Sequence, residues 1–209
     1  MNPRDLFRRN FAACPLVAII RGVTPLDVEG VGKAIASAGI GIIEIPLNSP
    51  DPFDSIARLV RAVGDQVLVG AGTVLDPAQV EQVRATGAGL IVSPNTDPAV
   101  IAASVAAGMM SCPGFFTPSE GFAAIRAGAH ALKLFPAEAA SPAVVKAQRA
   151  VLPRDIPLLV VGGVKPDSMR AWLNAGADGF GLGSGLYVPG QSAEVTAEHA
   201  RAYVAGLAQ

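Results

Sequence analysis

Asp97-Pro98-Ala99-Val100-Ile101-Ala102-Ala103-Ser104-Val105-Ala106-Ala107-Gly108-Met109-Met110-Ser111-Cys112-Pro113 holds one complete structural unit in miniature. An acidic side chain precedes a proline, which caps a helix and pre-sets its first turn. An Ala-rich helical stretch follows, Gly108 ends it with a left-handed residue, and Met109–Pro113 reads as a short buried strand. The same grammar repeats in both directions along the chain. Apolar runs cover Pro15–Ile20, Ile40–Pro46, Gln66–Ala71, Gly89–Pro94, Met109–Pro113, His130–Pro136, Pro157–Gly162 and Asp178–Gly183, with starts 20 to 27 residues apart. Between and after them lie helical stretches at Leu26–Ala38, Pro52–Val63, Pro77–Thr86, Pro98–Ala107, Pro118–Ala127, Pro142–Val151, Pro166–Ala175 and Glu194–Leu207. Thr24-Pro25, Asp76-Pro77, Thr117-Pro118 and Ser141-Pro142 repeat the cap of Asp97-Pro98, and Gly39, Gly87, Gly128 and Gly176 repeat the stop of Gly108.

Continuous apolar runs are the mark of strands buried on both faces, as in a parallel sheet covered by helices. Eight strand–helix units without a change of pattern predict an α/β fold, a single-domain (β/α)8 TIM barrel over residues 1–209, with Asn2–Ala13 as an extra helix across its bottom. An open doubly wound sheet is the alternative. The chain has 209 residues, 51% hydrophobic and 16% charged, with a net charge of −1. The charged share lies below the roughly 25% of an average domain, which predicts extensive burial or an oligomer interface. A near-neutral chain without a basic block lacks the electrostatic footprint of a nucleic-acid binder. No apolar run reaches the roughly 18 residues of a membrane span. The N-terminal residues lack a secretory h-region, and two cysteines, Cys14 and Cys112, are too few for a disulfide framework, so a cytoplasmic location is expected.

In a barrel the functional groups stand at the C-terminal ends of the strands. Of four lysines, only Lys133 lies within an apolar run, Ala131-Leu132-Lys133-Leu134-Phe135. Two readings are open for it. It either neutralises a buried carboxylate or serves as an amine nucleophile, since burial disfavours the ammonium and frees the base for Schiff-base chemistry. Glu44 interrupts Ile43 and Ile45 and is either an ion-pair partner of Lys133 or Arg21, or a proton shuttle. Arg21, after the first run, carries a planar fork suited to a carboxylate or phosphate, or to a rim salt bridge. Gly162-Gly163 and Gly181-Leu182-Gly183-Ser184 follow the seventh and eighth strands, where barrels bind phosphate on bare backbone N–H groups. Only two histidines, His130 and His199, and no acidic or thiol cluster argue against a metal site. No cofactor motif is present. His130 is expected to cap the sixth strand, Cys112 to pack, and Phe115-Phe116 to wall the pocket.

At these residues the chain resembles the class I (Schiff-base) 2-keto-3-deoxy-6-phosphonate aldolases, the KDPG/KDPGal family, from about Pro15 to Tyr187. The carrying passages are Ala18-Ile19-Ile20-Arg21-Gly22, Ile43-Glu44-Ile45-Pro46-Leu47-Asn48-Ser49-Pro50, Val69-Gly70-Ala71-Gly72-Thr73-Val74-Leu75, Ala131-Leu132-Lys133-Leu134-Phe135-Pro136, Val161-Gly162-Gly163-Val164 and Gly181-Leu182-Gly183-Ser184. The resemblance implies that Lys133 forms the imine with the 2-keto carbon and that Glu44 relays protons. It implies that Arg21 and Thr73 hold the keto-acid end, and that Gly162, Gly163, Gly183 and Ser184 cradle the phosphate. It further implies a small phosphorylated keto sugar acid as partner, pyruvate and D-glyceraldehyde 3-phosphate as products, no metal, and a homotrimer. Pro46-Leu47-Asn48-Ser49 follows the galactonate branch, where gluconate-type members show Thr-Leu-Arg-Thr. The expected activity is cleavage of 2-dehydro-3-deoxy-6-phospho-D-galactonate. A gluconate-type or dual-specificity aldolase is the near alternative. A phosphosugar isomerase or a thiamine-phosphate-synthase-like barrel is the distant one.

Overall fold

The structure, a computed structural model that describes residues 1–208, is an α/β barrel. Gln209, the last residue of the expected domain, lies outside the described residues. In chain order the elements are α1 (Pro3–Ala13), β1 (Leu16–Ile19), α2 (Val28–Ser37), β2 (Ile42–Pro46), α3 (Pro52–Val63), β3 (Leu68–Gly72), α4 (Pro77–Ala85), β4 (Leu90–Val92) and α5 (Pro98–Ala106). They continue with β5 (Met110–Cys112), β6 (Gly114–Phe115), α6 (Pro118–Arg126), β7 (Leu132–Leu134), α7 (Pro142–Arg149), β8 (Leu158–Val161), α8 (Met169–Asn174), β9 (Gly179–Leu182) and α9 (Ala193–Gly206). Every pairing is parallel, in the spatial order β5-β4-β3-β2-β1-β9-β8-β7-β6.

The nine ladder segments make eight barrel strands. β5 and β6 are halves of one extended segment, divided at Pro113, which has no N–H for the ladder. Hydrogen bonds carry the ring across that break. Ala131 N donates to Ser111 O at 3.3 Å, Lys133 N to Pro113 O at 2.9 Å, and Phe135 N to Phe115 O at 3.2 Å.

Side chains alternate in and out along each strand. Val17, Ile19, Ile42, Leu90, Cys112 and Leu159 fill the interior, and Leu6 and Phe7 of α1 join them from below. Leu16, Ala18, Ile43, Ile45 and Val69 face outward into the layer beneath the helices. Asn10 of α1 is anchored to the barrel floor, its Nδ2 donating to Gly41 O at 2.6 Å and Gln66 O at 2.9 Å.

The expected stops are present: Gly39, Gly87, Gly108, Gly128 and Gly176 all have positive φ. Asp76, Asp97 and Thr117 accept backbone N–H bonds as caps. Two caps differ. Ser141 precedes α7 but makes no side-chain cap bond. The residues after Thr24 form a separate turn, with Asp27 N bonded to Thr24 O, while the Thr24 hydroxyl donates to Asp27 Oδ2 at 2.7 Å. That turn delays α2 to Val28.

Candidate active site

Lys133 sits at the centre of β7, in register with Gly114 on one side and Leu159 on the other. Its inward register makes it a barrel-interior residue, 7% exposed. Glu44, on β2, is 1% exposed and points into the same interior. Between them lies a small void of about 20 Å³, also bordered by Cys112 and Val161. Above it opens a cavity of about 460 Å³ at the C-terminal ends of the strands, lined by Lys133, Arg21, Phe135, Gly162, Gly163, Gly183 and Ser184 among others. Lys133 therefore borders both spaces, the cavity at the strand ends and the smaller void in the barrel interior.

The electrostatics follow from this burial. Loss of solvent pushes Glu44 up to about 7, against the pull of the Lys133 and Arg21 cations. Loss of solvent also holds Lys133 below the ordinary lysine range; Glu44 opposes that shift and Arg21 adds to it. Cys112 is pushed up to about 12 by burial, so near neutrality it is an uncharged thiol and Glu44 is the operative counter-charge. No ion pair joins Glu44 to Lys133 or Arg21 among the described residues, and Glu44 Oε2 has no hydrogen-bond partner. A buried carboxylate left unpaired is costly as an anion. It is suited to take up and release a proton near neutral pH. The Lys133 Nζ lies 4.9 Å from the centroid of the Phe135 ring.

The mouth is built on glycine. Gly162 and Gly163 turn with φ 119° and 62°. Their carbonyl neighbour, Val164 O, is braced by the Tyr203 hydroxyl at 2.8 Å. A side chain at Gly183 would meet nothing within 4 Å, so its backbone is open to the cavity. Ser184 is exposed beside it. Glu138 lies against the Gly162-Gly163 turn and lines the same cavity. Arg21 stands at the rim, its Nη1 donating to Asn48 Oδ1.

Thr73 is not among the residues that line either space. It follows β3 directly, with φ 57°, a strained value for a β-branched residue. The residue before it, Gly72, occurs in the sequence reading only within a motif and is given no role of its own there, yet a Cβ at this position would overlap the Glu44 carboxylate. Phe115 and Phe116 do not wall the pocket. Phe115 is buried in the outer layer against α6, and Phe116 packs on that layer too. The aromatic in the cavity is Phe135, two residues beyond Lys133 and therefore on its face. His130 lies at the barrel bottom, its Nδ1 accepting from Ser111 N at 3.1 Å. No group of three or more His, Cys, Asp or Glu placed to hold a metal occurs among the described residues.

The family model described as KDPG and KHG aldolase matches residues 8–198. The 2-dehydro-3-deoxy-6-phosphogalactonate aldolase of Escherichia coli (strain K12) is 50% identical over 190 residues, covering 91% of this chain and 93% of that protein. The 2-dehydro-3-deoxy-phosphogluconate aldolase of Treponema pallidum (strain Nichols) is 34% identical over 131 residues, covering 61% of this chain and 62% of that protein. A solved native KDPGal structure superposes with a TM-score of 0.91 at 48% identity, covering 93% of this chain and 94% of that one.

Proposed function

This chain belongs to the KDPG and KHG aldolase family, and from that membership we propose that it cleaves 2-dehydro-3-deoxy-6-phosphogalactonate to pyruvate and D-glyceraldehyde 3-phosphate through an imine on Lys133. It is an aldolase, a carbon–carbon lyase, and the family match sets aside the isomerase and thiamine-phosphate-synthase-like readings. The observation that carries the Schiff-base reading is the placement of a desolvated Lys133 bordering the open cavity, with an unpaired Glu44 in the same barrel interior.

The chemistry runs as follows. The unprotonated Lys133 Nζ adds to C2 of the keto acid, and loss of water from the carbinolamine gives an iminium. A base removes the C4 hydroxyl proton, the C3–C4 bond breaks, and its electron pair flows into the iminium as an enamine. Glyceraldehyde 3-phosphate departs. C3 is then reprotonated, and water hydrolyses the imine to release pyruvate and restore the amine. Glu44 serves as the proton carrier, since a carboxyl near pKa 7 can both give and take at working pH. The iminium is the electron sink, so the route requires no metal and no cofactor. Arg21 is assigned to the substrate carboxylate, Thr73 to support of that end from the strained β3 terminus, and Gly162, Gly163, Gly183 and Ser184 to the phosphate.

The galactonate branch is favoured by the 50% identity to a galactonate enzyme against 34% to a gluconate enzyme, and by Pro46-Leu47-Asn48-Ser49. A coupled pyruvate-release assay on both C4 epimers tests it. The galactonate substrate is expected to give the higher kcat/KM; equal or reversed values would overturn the branch while leaving the lyase chemistry intact. We further propose that residues 1–209 act as one barrel domain assembled as a cytoplasmic homotrimer. Support comes from the low charged fraction and from apolar side chains left in solvent, Leu26 at 88% and Leu75 at 51% exposure. Among the described residues no helix is long and apolar enough to cross a membrane.

A further inference from the structure

Arg21 is exposed at the cavity rim and has no carboxylate partner among the described residues. Instead it is held by an amide. Its Nη1 donates to Oδ1 of Asn48, while the next backbone N–H, that of Gly22, donates to Ser49 Oγ at 2.9 Å. Two consecutive side chains of the loop after β2 thus hold two consecutive residues of the loop after β1. Ser49 is buried, so its bond is shielded from water. On the other flank Gly22 turns with φ 79°, and a Cβ there would press on Pro189 Cγ at 2.6 Å. The Arg21 backbone is confined from both sides, and among the described residues Asn48 is the only side-chain hydrogen-bond partner of its guanidinium.

The choice of an amide matters. A guanidinium has five N–H donors and no acceptor. Asn48 engages one nitrogen, fixes the fork, and, being uncharged, leaves the full positive charge for an incoming anion. An aspartate at the same place would neutralise that charge and compete for the fork. We propose that Asn48 is a positioning residue that aims Arg21 at the carboxylate of the 2-keto acid substrate; this rests on the assignment of Arg21 to that carboxylate. Asn48 acts through Arg21 and reaches no reacting atom. Its effect is on carboxylate binding, common to ground and transition states, and so falls on KM more than on kcat.

The test is a cycle of Asn48→Ala, Arg21→Ala and the double variant, with Asn48→Asp as the isosteric control. For each, kcat and KM are measured with the phosphorylated substrate, together with the pyruvate concentration that half-saturates borohydride trapping. Asn48→Ala is expected to raise KM and the half-saturating pyruvate concentration about tenfold, with kcat within about twofold. The double variant is expected to match Arg21→Ala, since nothing remains to be aimed. Asn48→Asp, which keeps the side chain's size and can still accept from Arg21, is expected to lose at least as much as Asn48→Ala. Losses that multiply in the double variant, or a wild-type KM in either Asn48 variant while Arg21→Ala is impaired, would overturn the proposal alone. A wild-type KM in Arg21→Ala would overturn the carboxylate assignment beneath it.

Discussion

Lys133 and Glu44 share one interior, and in the proposed mechanism their protonation states set the activity. Burial penalises the Glu44 anion and pushes its pKa up to about 7. A proton acceptor there is lost as pH falls through about 7, so kcat is expected to fall on the acid side with an inflection near that value. Glu44→Gln should lower kcat by roughly 10² to 10⁴-fold and abolish the inflection in the pH–rate profile. The same shift predicts a stability effect. The folded value near 7 lies above the ordinary 4.5, so the fold favours the protonated carboxyl. Its contribution is complete below about pH 4.5 and is lost as pH rises through about 7. Glu44→Gln, always neutral, should therefore melt like the parent near pH 4.5 and be more stable at pH 8, by up to about 3 kcal/mol. Thermal melts at the two pH values check this.

At the scale of elements, α1 is held to the barrel floor by Asn10, whose amide meets carbonyls of two different strand entries. Asn10→Ala leaves both carbonyls without that donor and should cost about 2 kcal/mol, a fall in Tm of roughly 4–8 °C, read by calorimetry. Element order was legible in the sequence because each helix carries its own start and stop: Asp97 and Thr117 cap as expected, and Gly108 and Gly128 end their helices with positive φ. The misplaced features were decided by contacts that cap chemistry and strand periodicity do not rank. Thr24 and Ser141 have the chemistry of caps, but local hydrogen bonding gave Thr24 to Asp27. Phe115 lies beyond Pro113, and which face it takes depends on the register of β5 and β6 across the barrel seam. Lys133, Glu44 and Arg21 could be singled out as charges in or beside apolar strands. Gly72 could not, because its significance is a contact with Glu44 from a neighbouring strand.

For the whole molecule, closure depends on how the last two units are tied to the rest. Arg149, at the end of α7 and only 4% exposed, donates to Gly176 O at 2.8 Å and to Pro153 O and Ile156 O at 3.1 Å, and it pairs with Asp178. Asp178 in turn accepts from Leu158 N at 2.7 Å. One side chain thus links α7 to the entries of β8 and β9, the strands before the proposed phosphate turns. Arg149→Ala should destabilise by about 3 kcal/mol, and a Tm unchanged within a degree would show that these strands are held otherwise. The aldolase reading itself turns on the amine at the barrel's centre. Incubation with pyruvate and borohydride, followed by peptide mass mapping, is predicted to yield one reduced pyruvate adduct per chain, on Lys133 and on none of the three other lysines. Absence of an adduct, or its appearance on Lys33, Lys146 or Lys165 with Lys133 unmodified, would contradict the account.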